Sequence, residues 1–285
     1  MKTDTKAAVL FISGQSNATA HHQFLPEADR VYVPMKNVWS LDRNPNQSFE
    51  ITDVTWSGWT SMGKNLGESQ DHTASLAYFI AKKWQAAIDA GKALPDLYIV
   101  QVSIGSQGII NGMWNRDKER VIKPGILGEA DISLLPLSLH INNLAMQNLK
   151  NAGKNPEVIG WHWLGCEQDI WHEAYFRDDF EERYDYHFDA MRASMGGAVP
   201  TYLYQVVVRG GIERFHLPLE SEDIINEAIV RQAKRLGAKL VEPRECPWWD
   251  PQDHLYYGVL ANDRAHYIPK VQEWFADKYM SEFIS

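Results

Sequence analysis

The sequence predicts an α/β fold: a three-layer α/β/α sandwich on a central, mostly parallel sheet of five strands. Three observations predict it. Strand-like runs recur at residues 7–12, 97–104, 158–164, 202–208 and 239–242. Helical patterns lie between them. The first of these runs are near-continuously apolar rather than alternating, as strands covered on both faces are.

Each element has its own signal. Val9-Leu-Phe-Ile12 is a buried strand that stops at Gly14, a residue suited to a sharp turn. After Thr73, a candidate N-cap, Leu76, Phe79, Ile80, Trp84, Ala87 and Ile88 recur at helical spacing, and Gly91 stops the helix. Residues 137–150 form a second helix ended near Gly153, and residues 178–194 a third. Ser221 caps a fourth, with Glu222 and Asp223 in its first turn and Gly237 at its close. The last covers residues 269–279 and begins with proline. Residues 20–70 show little period and are rich in Asn, Ser, Gly, Trp and Pro, which predicts a long irregular segment bordering a binding site. With no repeat and no clear linker, residues 1–285 read as one domain.

Composition narrows the function. The net charge of −9 argues against non-specific nucleic-acid binding, which needs a basic surface. No stretch approaches the ~20 apolar residues of a membrane span. The apolar run near the start is too short for a signal peptide and leads straight into the turn at Ser16, so no export signal is expected in the chain as it stands. Cys166 and Cys246 make neither a disulfide framework nor a zinc pattern, although a single bridge between them is open. Eleven tryptophans and twelve tyrosines suit either a packed core or sugar stacking.

Two motifs at opposite ends carry chemistry. Ser16 in Gly14-Gln-Ser-Asn17 sits just past a strand's carboxyl end, where open α/β sheets bind ligands. Asp263-Arg-Ala-His266 precedes the last helix. Asp and His three apart can meet in one turn, so that the carboxylate fixes the imidazole tautomer and leaves the other ring nitrogen free to take a serine proton.

Together these blocks resemble the SGNH (GDSL-type) hydrolase superfamily, and most closely its branch of sialate O-acetylesterases and family 6 acetylxylan esterases. The resemblance implies a flavodoxin-like sandwich, with Ser16 as nucleophile, His266 as general base and Asp263 as its orienting carboxylate. A second block, Ser103-Ile-Gly-Ser-Gln-Gly-Ile109 followed by Trp114, matches the branch at Gly105, while Ser106 and Gln107 depart from it. The third, Trp163-Leu-Gly-Cys-Glu-Gln-Asp169, agrees at Trp163, Glu167 and Asp169. Gly165 stands where the branch has a glutamine that donates to the oxyanion. The implied oxyanion hole is the backbone of Ser16, Gly105 and Ser106, with Gln107 as a further donor. Gln168 and His162 are other candidates for the missing donor. Gln15, Asn17, Trp114, Glu167 and the pair Trp248-Trp249 are candidate substrate contacts.

The reading that follows is a serine esterase removing small acyl groups, chiefly acetyl, from a carbohydrate, with no metal and no cofactor. A weak or inactive carbohydrate-binding protein on the same scaffold, or a lipid or thioester hydrolase, are the alternatives. Asp250 and Asp253-His254 form a second acid–histidine cluster. Glu167, Asp169 and His172 have a spacing that could hold a metal on a helix. His21, His22 and Arg209 could line a cleft.

Overall fold

In a computed structural model, residues 5–19, 24–30, 34–41, 58–63, 66, 72–110, 112–117, 133–171, 173–208, 211–213, 216–218, 220–250, 252, 259–261 and 265–284 are described. The strands are β1 (Thr5–Gly14), β2 (Met35–Leu41), β3 (Trp59–Met62), β4 (Asp96–Ser103), β5 (Lys154–Leu164), β6 (Thr201–Tyr204) and β7 (Lys239–Val241). The helices are α1 (Ser16–Thr19), α2 (Leu76–Asp89), α3 (Leu134–Asn151), α4 (Glu167–Trp171), α5 (Phe180–Ser194), α6 (Glu220–Leu236) and α7 (Pro269–Ile284).

One seven-stranded sheet runs β3-β2-β4-β1-β5-β6-β7. Every neighbouring pair is parallel except β2 with β3. All five expected strands are present. Taken alone they follow the order 2-1-3-4-5, that of flavodoxin-like sheets. The sheet is wider than the five strands expected, because β2 and β3 lie in the segment read as irregular. Lys36, Asn37 and Ser40 interrupt the apolar pattern of β2. The four residues of β3, at the sheet's edge, show no fully buried position.

Side-chain parity along β1 assigns the layers. Ala7, Val9 and Phe11 enter one apolar cluster with α3, α5 and α6. Ala8, Leu10 and Ile12 enter a second with α2 and α7. The β1–β5 ladder is irregular in one place: Val9 pairs with Val158, but Leu10 pairs with Gly160. Ile159 and Gly160 thus oppose one residue, which is a bulge. A Cβ on Gly160 would lie 2.9 Å from the Tyr279 hydroxyl, so glycine leaves room for α7 there.

Helix boundaries differ in small ways from expectation. Ser75, not Thr73, caps α2, accepting from the Tyr78 amide at 3.3 Å. Thr73 instead bridges Phe24. Ser221 lies inside α6 and hydrogen-bonds the Tyr175 hydroxyl at 2.6 Å. Cys166 and Cys246 are both free and buried, in clusters on opposite faces of the sheet, so no bridge joins them. Among the described residues, no helix is long and apolar enough to cross a membrane.

Candidate active site

Three turns leave the sheet at one level. Gly14 of β1 is paired with Ser103 of β4 on one side and Leu164 of β5 on the other. Ser16, Gly105 and Cys166 each follow two residues later. This is the point where the strand order reverses, the crevice that ligands use in open α/β sheets.

The first turn is tightly determined. Gly14 has φ +144°, and a Cβ there would stand 1.9 Å from the Leu164 carbonyl oxygen. The Gln15 amide donates to that oxygen at 2.9 Å. The Trp114 indole N–H donates to the Gly14 carbonyl at 3.0 Å. Gly14→Ala is therefore expected to lose several kcal/mol of stability, because the crowding atom is backbone of the central ladder and cannot turn away. A denaturant midpoint equal to wild type would contradict this.

Asn17 ties this turn to the C-terminal block. Its side-chain Nδ2 donates to the Ala265 carbonyl at 3.1 Å, and its Oδ1 accepts from the Tyr267 amide at 2.9 Å. One amide thus clips the backbone on both sides of His266 to the residue next to Ser16. Nδ2 also donates to Glu167 Oε1 at 2.7 Å. Gln272 of α7 donates to the Asn17 carbonyl at 2.9 Å. The His266 segment is held further by a bridge between Leu260 and Tyr267, with the Ala261 amide donating to the His266 carbonyl at 2.7 Å. Asp263 lies outside the described residues, as do His21, His22, His172, Arg209, Asp253 and His254.

The second and third turns are locked together by Asp169. Its Oδ2 accepts from the Ile109 amide at 3.1 Å and from the Tyr184 hydroxyl at 3.0 Å; its Oδ1 accepts from the Ile110 amide at 3.0 Å. Gly108 must be small, since a Cβ there would lie 2.3 Å from Asp169 Oδ1. With both oxygens occupied by these donors, Asp169 is a clamp for the second block rather than a metal ligand. Among the described residues no group of three His, Cys, Asp or Glu could hold a metal. Ser106 (φ +60°) and Cys166 (φ +92°) are both held in the left-handed region, strain that over-determined functional turns often carry.

Several candidate contacts prove to be internal braces. Gln107 is buried and serves its own loop: Nε2 donates to the Gly105 carbonyl at 3.2 Å, and Oε1 accepts from the Met113 amide at 3.0 Å. Trp114 is fully buried and stands edge-on to Trp163, so it cannot stack on a ligand. Gln15 is buried and accepts from the Gln168 amide at 3.1 Å. His162 is engaged elsewhere: its ring stacks on Tyr202 and its Nδ1 meets the Tyr204 hydroxyl at 2.8 Å. At position 165 a Cβ would stand 3.0 Å from the Trp163 ring, so the indole occupies the space that a side chain would need.

Of the tryptophan pair, Trp248 is 38% exposed, with Lys270 Nζ 4.7 Å from its ring centroid. Trp249 packs against the α2/α7 cluster instead. Lys270 also lines a groove of about 410 Å³ whose wall includes Phe24, Phe79, Ile268 and Pro269 and none of the residues of the three turns.

Burial sets the protonation of the groups around the turns. Desolvation raises the Glu167 carboxyl, against the lowering effect of the Asn17 hydrogen bond and of His266 nearby. Burial pushes the Cys166 thiol well above its ordinary range, which leaves it a poor nucleophile. His187, enclosed by Trp114 and Trp163, is held down to about 3 by burial. Asp169 as a clamp, Gln272 and His187 escaped the sequence reading. Only the Gly108–Asp169 pairing had a trace there, as a glycine and an acid in neighbouring blocks.

The fold, a mostly parallel α/β sandwich, is shared with solved structures over nearly the whole chain. Among solved structures, NanS superposes over 100% of this chain and 98% of its own, with a TM-score of 0.60 at 16% identity. A protein of Arabidopsis thaliana matches over 97% of this chain and 98% of its own, at TM-score 0.54 and 15% identity. A carbohydrate acetylesterase from Xanthomonas citri matches over 97% of this chain but 56% of its own, at TM-score 0.52 and 14% identity. No protein-family model and no curated protein matches the sequence.

Proposed function

We propose that the chain is a serine esterase that removes small acyl groups, acetyl above all, from a carbohydrate. The observation that carries this reading is the Asn17 clip, which ties the residue after Ser16 to both neighbours of His266. In the proposed reaction the Ser16 hydroxyl attacks the ester carbonyl while His266 takes its proton. Asp263 orients the imidazole. The negative charge developing on the carbonyl oxygen is met by backbone N–H groups of Ser16 and of the Gly105–Ser106 turn. His266 then returns the proton to the leaving sugar hydroxyl, and water repeats the sequence on the acyl-enzyme.

The first residue of a helical turn has an amide without an intrahelical acceptor, which suits Ser16 to oxyanion binding. Because the Trp163 ring fills the space at Gly165, and Gln107 braces its own loop, the oxyanion donors in this proposal are backbone. A carbohydrate substrate is supported by the half-exposed Trp248 and by the fold shared with a carbohydrate acetylesterase. The test is hydrolysis of p-nitrophenyl acetate and acetate release from acetylated glycans by wild type and Ser16→Ala. The variant is expected to lose at least about 10³-fold in turnover. Equal rates would remove the proposal.

A further inference from the structure

We infer that Glu167 is a positioning residue for this reaction: it orients Asn17, and through it the segment carrying His266. The inference rests on the esterase reading above. Its ground is geometric. Glu167 opens α4, immediately past the third turn, and is 4% exposed. Its Oε1 accepts from the same Asn17 Nδ2 that donates to the Ala265 carbonyl. An amide nitrogen has two N–H groups. Those two bonds use both, so the carboxylate decides which way the Asn17 amide faces, and hence that Oδ1 points to the Tyr267 amide.

The other oxygen, Oε2, is buried and has no hydrogen-bond partner among the described residues. A buried carboxylate left half-satisfied is costly as a fold element and asks for a compensating charge. His266 is the positive partner that acts on it, and Asp169 is the acidic group that opposes it. Asp169 is already satisfied by two amides and a phenol. Tyr267 also faces Glu167; its hydroxyl donates to the Gln205 carbonyl at 3.1 Å, and Glu222, Glu242 and Arg244 act on it from the other side.

The experiment measures kcat and KM for p-nitrophenyl acetate, with the urea midpoint, in wild type, Glu167→Gln and Glu167→Leu. E167Q keeps an acceptor for the Asn17 amide and is expected to hold kcat within about threefold of wild type. E167L keeps the bulk and removes the acceptor; it is expected to lower kcat about 10- to 100-fold with KM little changed. Wild-type kcat in E167L, or an equal loss of kcat in E167Q and E167L, overturns the inference. If Ser16→Ala hydrolyses as fast as wild type, the esterase reading falls and this inference with it. If Ser16→Ala is inactive while E167L keeps wild-type kcat, only the role of Glu167 falls.

Discussion

Asp169→Ala is expected to lose about 3–6 kcal/mol of stability and most of any turnover. The carboxylate accepts from two backbone amides and one phenol, all in a region closed to water. Removing it strands three buried donors, each at about 1–3 kcal/mol. The methyl group that remains cannot fill the space, so Gly108–Ile110 loses the anchor that places the Gly105–Ser106 turn. Asp169→Asn separates the two effects. Its amide keeps one acceptor but turns an N–H group towards a backbone N–H, so part of the loss persists. Chemical denaturation and acetate release measure the two quantities. An alanine variant with both near wild type would show that the second block stands without its clamp.

Acidification should unfold the protein well above the pH at which carboxylates are usually exhausted. His162 and His187 are both fully buried and held down to about 3 from 6.5 by desolvation. Neither His187 ring nitrogen has a hydrogen-bond partner among the described residues, and His162 lacks one at Nε2. In the unfolded chain both rings take a proton near pH 6.5; in the folded protein they resist until about 3. Stability from this source is full above about 6.5 and falls as pH drops towards 3, at about 1.4 kcal/mol per unit for each ring. Between pH 6.5 and 5 the two together cost about 4 kcal/mol. Glu167 and Glu222, whose carboxyls are raised by burial, work in the opposite direction, adding stability as pH falls towards the ordinary carboxylate range. The expected net result is a urea midpoint that declines from pH 7 to 5, and a shallower decline in His187→Leu. A midpoint constant over that range would refute the assignment.

The sheet was legible where burial on both faces leaves an unbroken apolar run. β1, β4 and the end of β5 are such runs, and they carry the three turns. β3 was not legible, because an edge strand needs apolar residues on fewer positions and its polar ones read as loop, and β2 beside it was not, because Lys36, Asn37 and Ser40 break its apolar run. In the site, the blocks around Ser16 and His266 stood out by residue type and by their place beside a strand end and a helix start. What the sequence could not convey is which polar side chains are consumed internally. Gln15, Gln107 and Trp114 have the chemistry of ligand contacts, yet each is spent on backbone groups of neighbouring turns. Such pairings join segments up to 153 residues apart and leave no periodic trace. Trp163 over Gly165 is a similar case, since a missing side chain reads as a lost donor until the ring above it is seen.

The extra residue in β5 has a consequence for the whole crevice. Had that strand run straight through, each position beyond Val158 would sit one step further along its partner. Phe11 would face Gly160, and both indoles of Trp161 and Trp163 would swing into the layer that α7 fills with Tyr279 and Phe275. Gly14 would then meet Trp163 instead of Leu164, and the third loop would depart about 3.3 Å too high. A single kink far below the three turns thus acts as a shim, levelling the rim from which they leave.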